Sequence, residues 1–124
     1  MIKYILFPCF LLAGFVYGQN IEFKRSNFKD DIDAYKEAKD AIDKGEEFFE
    51  QGSEAVFQVQ DPDEAFKKAL EQFQIAQNLN PDNALNNFRI GVCYIYSTSP
   101  YEAIPYLEKA HELDPECDDF LYYY

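Results

Sequence analysis

Basic residues are scarce in this chain of 124 residues: 11 Lys and Arg stand against 23 Asp and Glu, a formal charge of −12. A surface of that sign repels phosphate, which excludes nucleic acid as a partner and argues against an anionic membrane face. Histidine occurs once, as His111 beside Ala110, where it is expected to face solvent. With no second histidine and no thiol pair at ligand spacing, the sequence offers no metal site. It has no glycine-rich loop to cradle a phosphate, and "DDIDAYKE" lacks the glycine and closing glutamate of a calcium loop. Ser97, Thr98 and Ser99 read as loop and cap rather than as nucleophiles. The acid pairs Asp30-Asp31 and Glu46-Glu47 read as a solvated face. No catalytic constellation forms, no cofactor is implied, and a non-enzymatic role is expected.

Long apolar runs are also missing. The longest, Tyr4 to Tyr17, spans 14 residues, short of the roughly 20 that a membrane helix needs. Lys3 before it and "VYG" after it make residues 1–18 read as a secretory signal cut after Gly18. An uncleaved anchor is the alternative. Cys9 is discounted as a lipid-attachment site, because "LFPC" puts Phe and Pro where small residues are wanted. Export would permit a Cys93–Cys117 disulfide. Cys93 falls mid-helix, however, where a buried free thiol is the commoner outcome.

Aromatics, by contrast, make up 18% of the chain, too many for a disordered acidic tail. Their placement repeats. At an offset of 34, Ala69 falls on Ala103, Phe73 on Leu107, Ala76 on Ala110 and Pro81 on Pro115. Ala103, Leu107 and Ala110 lie at i, i+4 and i+7, one stripe of a helix. Small residues flanking a large one let a neighbouring helix approach. Ile90, Gly91 and Tyr94 make the facing stripe. Each unit thus reads as two short antiparallel helices closed by a proline. "SPYE" (99–102) reads as a capping box with Pro at the first helical position, and "DPDE" (61–64) follows the same logic. Pro105, about six residues into its helix, is expected to cost a backbone hydrogen bond or a slight kink.

These residues resemble tetratricopeptide repeats, whose pattern is Leu-Gly-x-x-Tyr, Ala-x-x-x-Phe and a closing Pro. One unit supplies Ile90-Gly91-x-x-Tyr94, Ala103, Leu107, Ala110 and Pro115. The earlier one supplies Lys44-Gly45-x-x-Phe48, Ala69, Phe73, Ala76 and Pro81. The family's early Trp is replaced by Ala41 and Asn87. The first unit is longer by about 12 residues, placed in "SEAVFQVQDPDE" as an elongated helix end and a longer loop. The resemblance implies an all-α helix-pair solenoid over residues 31–124, after a linker at 19–30. "CDDFLYYY" would open a third repeat, so the chain reads as the N-terminal part of a longer protein. More specifically, the signal, "KRSNFKDD", "KGEEFFEQG", "RIGVCYIYS" and "AIPYLEKAHELDP" resemble the start of Bacteroidota OmpA-family proteins. That resemblance implies export to the periplasm, association with the outer membrane, and an envelope complex linked to secretion or gliding. Peptidoglycan would be bound only through domains not contained in these residues.

The helix from about Asn83 to Ser97 carries a second apolar stripe, Leu85, Phe88, Val92, Ile95 and Tyr96. A helix apolar on two faces must be covered on both. In tetratricopeptide folds such a stripe lines the concave groove, where Ile42 and Phe49 would join it. Two readings follow: a groove for a protein or peptide partner, or a surface packed against the chain's own Ile21, Phe23 and Phe28. A different class, glycan binding, would use Tyr96, Tyr101 and Asn86.

Overall fold

The structure, a computed structural model, is described over residues 18–116. The expected signal up to Tyr17, Cys9 within it, Cys117 and the aromatic residues 120–124 lie outside the described residues. Within them the protein is all-helical, with no strand. Four α-helices follow in chain order: α1 (Ile32–Phe57), α2 (Asp63–Leu79), α3 (Ala84–Ile95) and α4 (Ala103–Leu113).

Side-chain bonds mark the starts of the first three helices. Asp31 Oδ1 accepts the Ala34 N–H at 3.0 Å and begins α1. Asp61 Oδ1 accepts the Asp63 N–H at 3.0 Å ahead of α2. Asn83 Oδ1 accepts the Asn86 N–H at 2.9 Å and begins α3. The expected capping box at "SPYE" is not formed: Ser99 makes no side-chain cap bond. Instead Ser97 Oγ accepts the Ser99 N–H at 3.0 Å and donates to the Tyr94 carbonyl at 2.7 Å. Pro100 to Glu102 form a 3-10 turn, with Pro100 in its first turn as expected. α4 therefore begins at Ala103, and Pro105 stands in its first turn, where backbone N–H groups lack helical partners anyway. The expected lost bond and kink do not arise.

Glycines set the approach of paired helices. A Cβ on Gly45 would stand 2.6 Å from Phe73 Cε1, and one on Gly52 would stand 2.9 Å from Phe66 Cδ1. The order of those contacts, rising along α1 and falling along α2, makes the pair antiparallel. The α3–α4 pair repeats the device: a Cβ on Gly91 would meet Leu107 Cδ2 at 2.5 Å. Ala84 packs with Ala110 and Leu113 further along, so this pair is antiparallel too. Phe66, Ala69, Phe73, Ile90, Val92 and Cys93 form the main buried cluster, joining α2 to α3. Burying a side chain such as Phe73 contributes roughly 1.5–3 kcal/mol. Ala69, Ala76, Ala103 and Ala110 are all buried, whereas Pro81 and Pro115 stand exposed in turns.

The extra length of the first pair lies where the sequence placed it. Gly45 stands 28 positions before Phe73 and Gly91 stands 16 before Leu107, a difference of 12. α1 absorbs it by running on to Phe57, with residues 58–62 as the loop. The helix ends in a Schellman turn. Gln60 N–H donates to the Ala55 carbonyl at 2.8 Å, and Val59 N–H donates to Val56 at 3.1 Å. Val59 occupies the left-handed position with φ 57°.

An asparagine knot ties α2, α3 and the N-terminal segment together. Gln77 Oε1 accepts from Asn86 Nδ2 at 2.9 Å, and Gln77 Nε2 donates to Asn87 Oδ1 at 3.0 Å. Asn87 Nδ2 donates to the Pro81 and Asn83 carbonyls at 2.9 and 2.8 Å. Asn80 and Asn83 both donate to the Ile21 carbonyl, at 2.8 and 2.9 Å. Asn20 Oδ1 accepts the Ala84 N–H at 2.9 Å, and Ile21 N–H donates to the Asp82 carbonyl at 2.8 Å. Asn20 and Ile21, within the stretch expected as a linker (19–30), are thus tied to the start of α3, where they satisfy its polar groups. His111 is half-buried rather than solvent-facing, and its Nδ1 is withdrawn from water.

Candidate functional site

The second apolar stripe of α3 does not act as one surface. Val92 is buried in the main cluster, and Ile42 is buried with Ala38 and Ala76 beneath Phe23. Tyr96 stacks on Phe66, ring centroids 5.1 Å apart. These three expected groove residues are taken up by the protein's own packing: Val92 and the half-buried Tyr96 by the α2–α3 cluster, and Ile42 by α2 and Phe23. Ile95 is half-buried at the last turn of α3. Phe23 stacks on Phe28, and Phe28 on Tyr35. The N-terminal segment therefore covers Ile42 and the start of α1.

Three expected residues do come together in a cleft. Phe49 from α1 and Leu85 and Phe88 from α3 line a hollow of about 300 Å³, with Glu46, Glu50 and Arg89 around it. Leu85 is 46% exposed there. Phe49 is fixed edge-on against Phe66 and Phe73, centroids 5.4 and 6.0 Å away, so its orientation is set by the core behind it. The floor of the cleft is therefore rigid and apolar.

The electrostatics of the cleft were not read from the sequence. Arg89 Nη2 meets Glu46 Oε1 at 2.7 Å, bridging α3 and α1. The guanidinium also lies 5.7 Å from the Phe73 ring centroid, within cation–π range. Arg89 is largely covered while Glu46 remains half-exposed. Its position between Phe88 and Ile90 was the available signal, a lone charge inside an apolar run. With Arg89 and Glu46 engaged in each other, Glu50 leaves the rim with a net negative charge.

A second hollow of about 300 Å³ lies between α2 and the end of α3, lined by Asp63, Lys67, Leu70, Cys93, Tyr94 and Ser97–Ser99. It does not activate a nucleophile. Burial pushes the Cys93 thiol up to about 12, so the reactive thiolate is not populated at neutral pH. Burial, and then the neighbouring Tyr106, raise Tyr94, whose ring stacks on Tyr106 with centroids 5.6 Å apart. Cys93 is a free buried thiol.

Of the residues considered for glycan binding, Asn86 is 1% exposed and committed to the asparagine knot, so it is closed to a ligand. Tyr101 is 84% exposed on the turn before α4. No helix of the described residues is long and apolar enough to cross a membrane. Comparison with protein-family models, with curated proteins and with solved structures yields no match to this chain.

Proposed function

We propose that this chain is a non-enzymatic protein-interaction scaffold of tetratricopeptide type, exported to the periplasm and working in an envelope complex of the outer membrane. The observation that carries the reading is the cleft between α1 and α3. Its floor of Phe49, Leu85 and Phe88 is apolar and held by the core, and its rim carries Glu50 beside the Arg89–Glu46 ion pair, which leaves it net negative. A preformed cleft takes up an extended or helical segment at low conformational cost. An apolar anchor flanked by Lys or Arg fits this floor and rim. The glycine contacts shared by both helix pairs support the repeat reading, and the charge of −12 supports a basic protein partner over nucleic acid.

A display library of random peptides tests the proposal. Binders should converge on an aromatic or aliphatic anchor with neighbouring Lys or Arg, and Leu85→Asp should weaken them about tenfold or more while the helical circular dichroism is kept. Binders that hold the Leu85→Asp variant equally well would refute the groove. Glycan binding is the second reading and rests on the exposure of Tyr101. A glycan-array signal lost in Tyr101→Ala would favour it.

A further inference from the structure

The tip of the first helix pair spends stability to hold two apolar side chains in water. Phe57 is 89% exposed and Val59 is 95% exposed. Val59 sits at the left-handed position of the Schellman turn, φ 57°, where its Cβ crowds the backbone and where glycine is the usual residue. A β-branched residue there is a true outlier. Packing does not require it, since Val59 touches little and its turn is closed by backbone bonds alone. The tip also belongs to the 12 residues by which the first pair exceeds the second, and the α3–α4 pair closes without such an extension. The base of the extension has a structural role, because Gly52 seats Phe66 in the core. Its tip has none.

The charge around the tip identifies what would cover it. Residues 51–64 carry Glu54, Asp61, Asp63 and Glu64 and no Lys or Arg, and of these Glu64 pairs with Lys68 of α2. An apolar knob on so acidic a stretch is repelled by an anionic lipid surface and by a second copy of this acidic chain. It complements an apolar pocket rimmed by basic side chains. We propose that Phe57 and Val59 form a docking knob for a partner protein bearing such a basic-rimmed apolar pocket, a surface separate from the α1–α3 cleft. The rigid Schellman turn presents both side chains outward, and the strain at Val59 is kept because the side chain is used in binding.

The test places the photo-crosslinker benzoylphenylalanine at position 57 of the full chain in its native cells, with position 101 as an exposed aromatic control. An adduct with a protein counts in favour only if three results accompany it. The crosslinked partner peptide must carry apolar residues beside Lys or Arg. The adduct must fall about tenfold or more in Val59→Gly and in Asp63→Lys. The purified Val59→Gly chain must melt higher than the parent, which shows that the lost adduct is not lost folding. Phosphatidylcholine and phosphatidylglycerol vesicles should not bind the chain. An adduct no stronger than at position 101, one unchanged in these variants, one made with lipid, vesicle binding that Phe57→Ser removes, or a lower melting point for Val59→Gly overturns the proposal.

Discussion

Adding one methyl group at Gly91 should destabilise this protein even though it improves the helix. Glycine inside a helix is about 1 kcal/mol worse than alanine, so an unhindered Gly91→Ala would stabilise. Here the new Cβ would stand 2.5 Å from Leu107 Cδ2 and 2.7 Å from Leu107 Cγ. The second contact is not the far end of the side chain, so a simple swing of a methyl does not relieve it. Leu107 is itself buried in α4, which limits where it can go. Overpacking of this kind costs about 1–3 kcal/mol. The gain and the cost leave a net loss of up to about 2 kcal/mol, and each kcal/mol lowers the midpoint by about 4–8 °C in a domain of this size. Thermal unfolding followed by circular dichroism reads it directly. Leu107→Ala alone should cost about 2–5 kcal/mol. In the double variant the new methyl occupies part of the vacated space, so the loss should be smaller than the sum of the singles by about 1 kcal/mol or more. A rise in midpoint for Gly91→Ala, or additive losses in the double variant, would refute the close α3–α4 approach. Glu108→Ala, on the exposed face of α4, should stay within about 0.5 kcal/mol.

Other outcomes follow from single contacts. Asn83→Ala removes the cap of α3 and one of two bonds to Ile21, and should cost about 1–2 kcal/mol in denaturant titration. Cys93 should resist alkylation by iodoacetamide in the folded chain and react on unfolding. Its thiol lies at about 12 when folded against 9.0 for an exposed thiol, so the unfolded chain releases the proton first. The Cys93 contribution is therefore fully present below about pH 9 and is lost between pH 9 and 12, and Cys93→Ala should flatten that part of the stability–pH curve. N-terminal sequencing of the protein from the envelope should begin at or near Gln19, and Met1 at that position would contradict export by cleavage.

The helical pattern was legible because it rests on spacing. Ala69, Phe73 and Ala76, like Ala103, Leu107 and Ala110, sit where the 34-residue offset put them, and Gly45 and Gly91 each face the large residue of that stripe. The groove was legible only in part. A stripe of apolar residues says that a helix face is covered but not by what. Tyr96 was claimed by Phe66, and Ile42 by Phe23, as the reading that packs this surface against the chain's own N-terminal residues had it. The asparagine knot was missed because each Asn reads locally as a turn or cap residue. Only the fold brings Gln77, Asn86 and Asn87 into one buried network that also reaches Ile21. The strain at Val59 was equally hidden: a helix end was expected in "SEAVFQVQDPDE", but no glycine in "AVFQVQ" marks the left-handed position.

The central claim is that the α1–α3 cleft receives an apolar segment with basic neighbours. Amide NMR shifts of the 15N-labelled chain, titrated with a selected peptide, test it most directly. The account predicts that the largest shifts cluster at 46–50 and 85–89 and vanish in Leu85→Asp. Shifts confined to the α4 surface around Tyr101, or a map unchanged by Leu85→Asp, would contradict it.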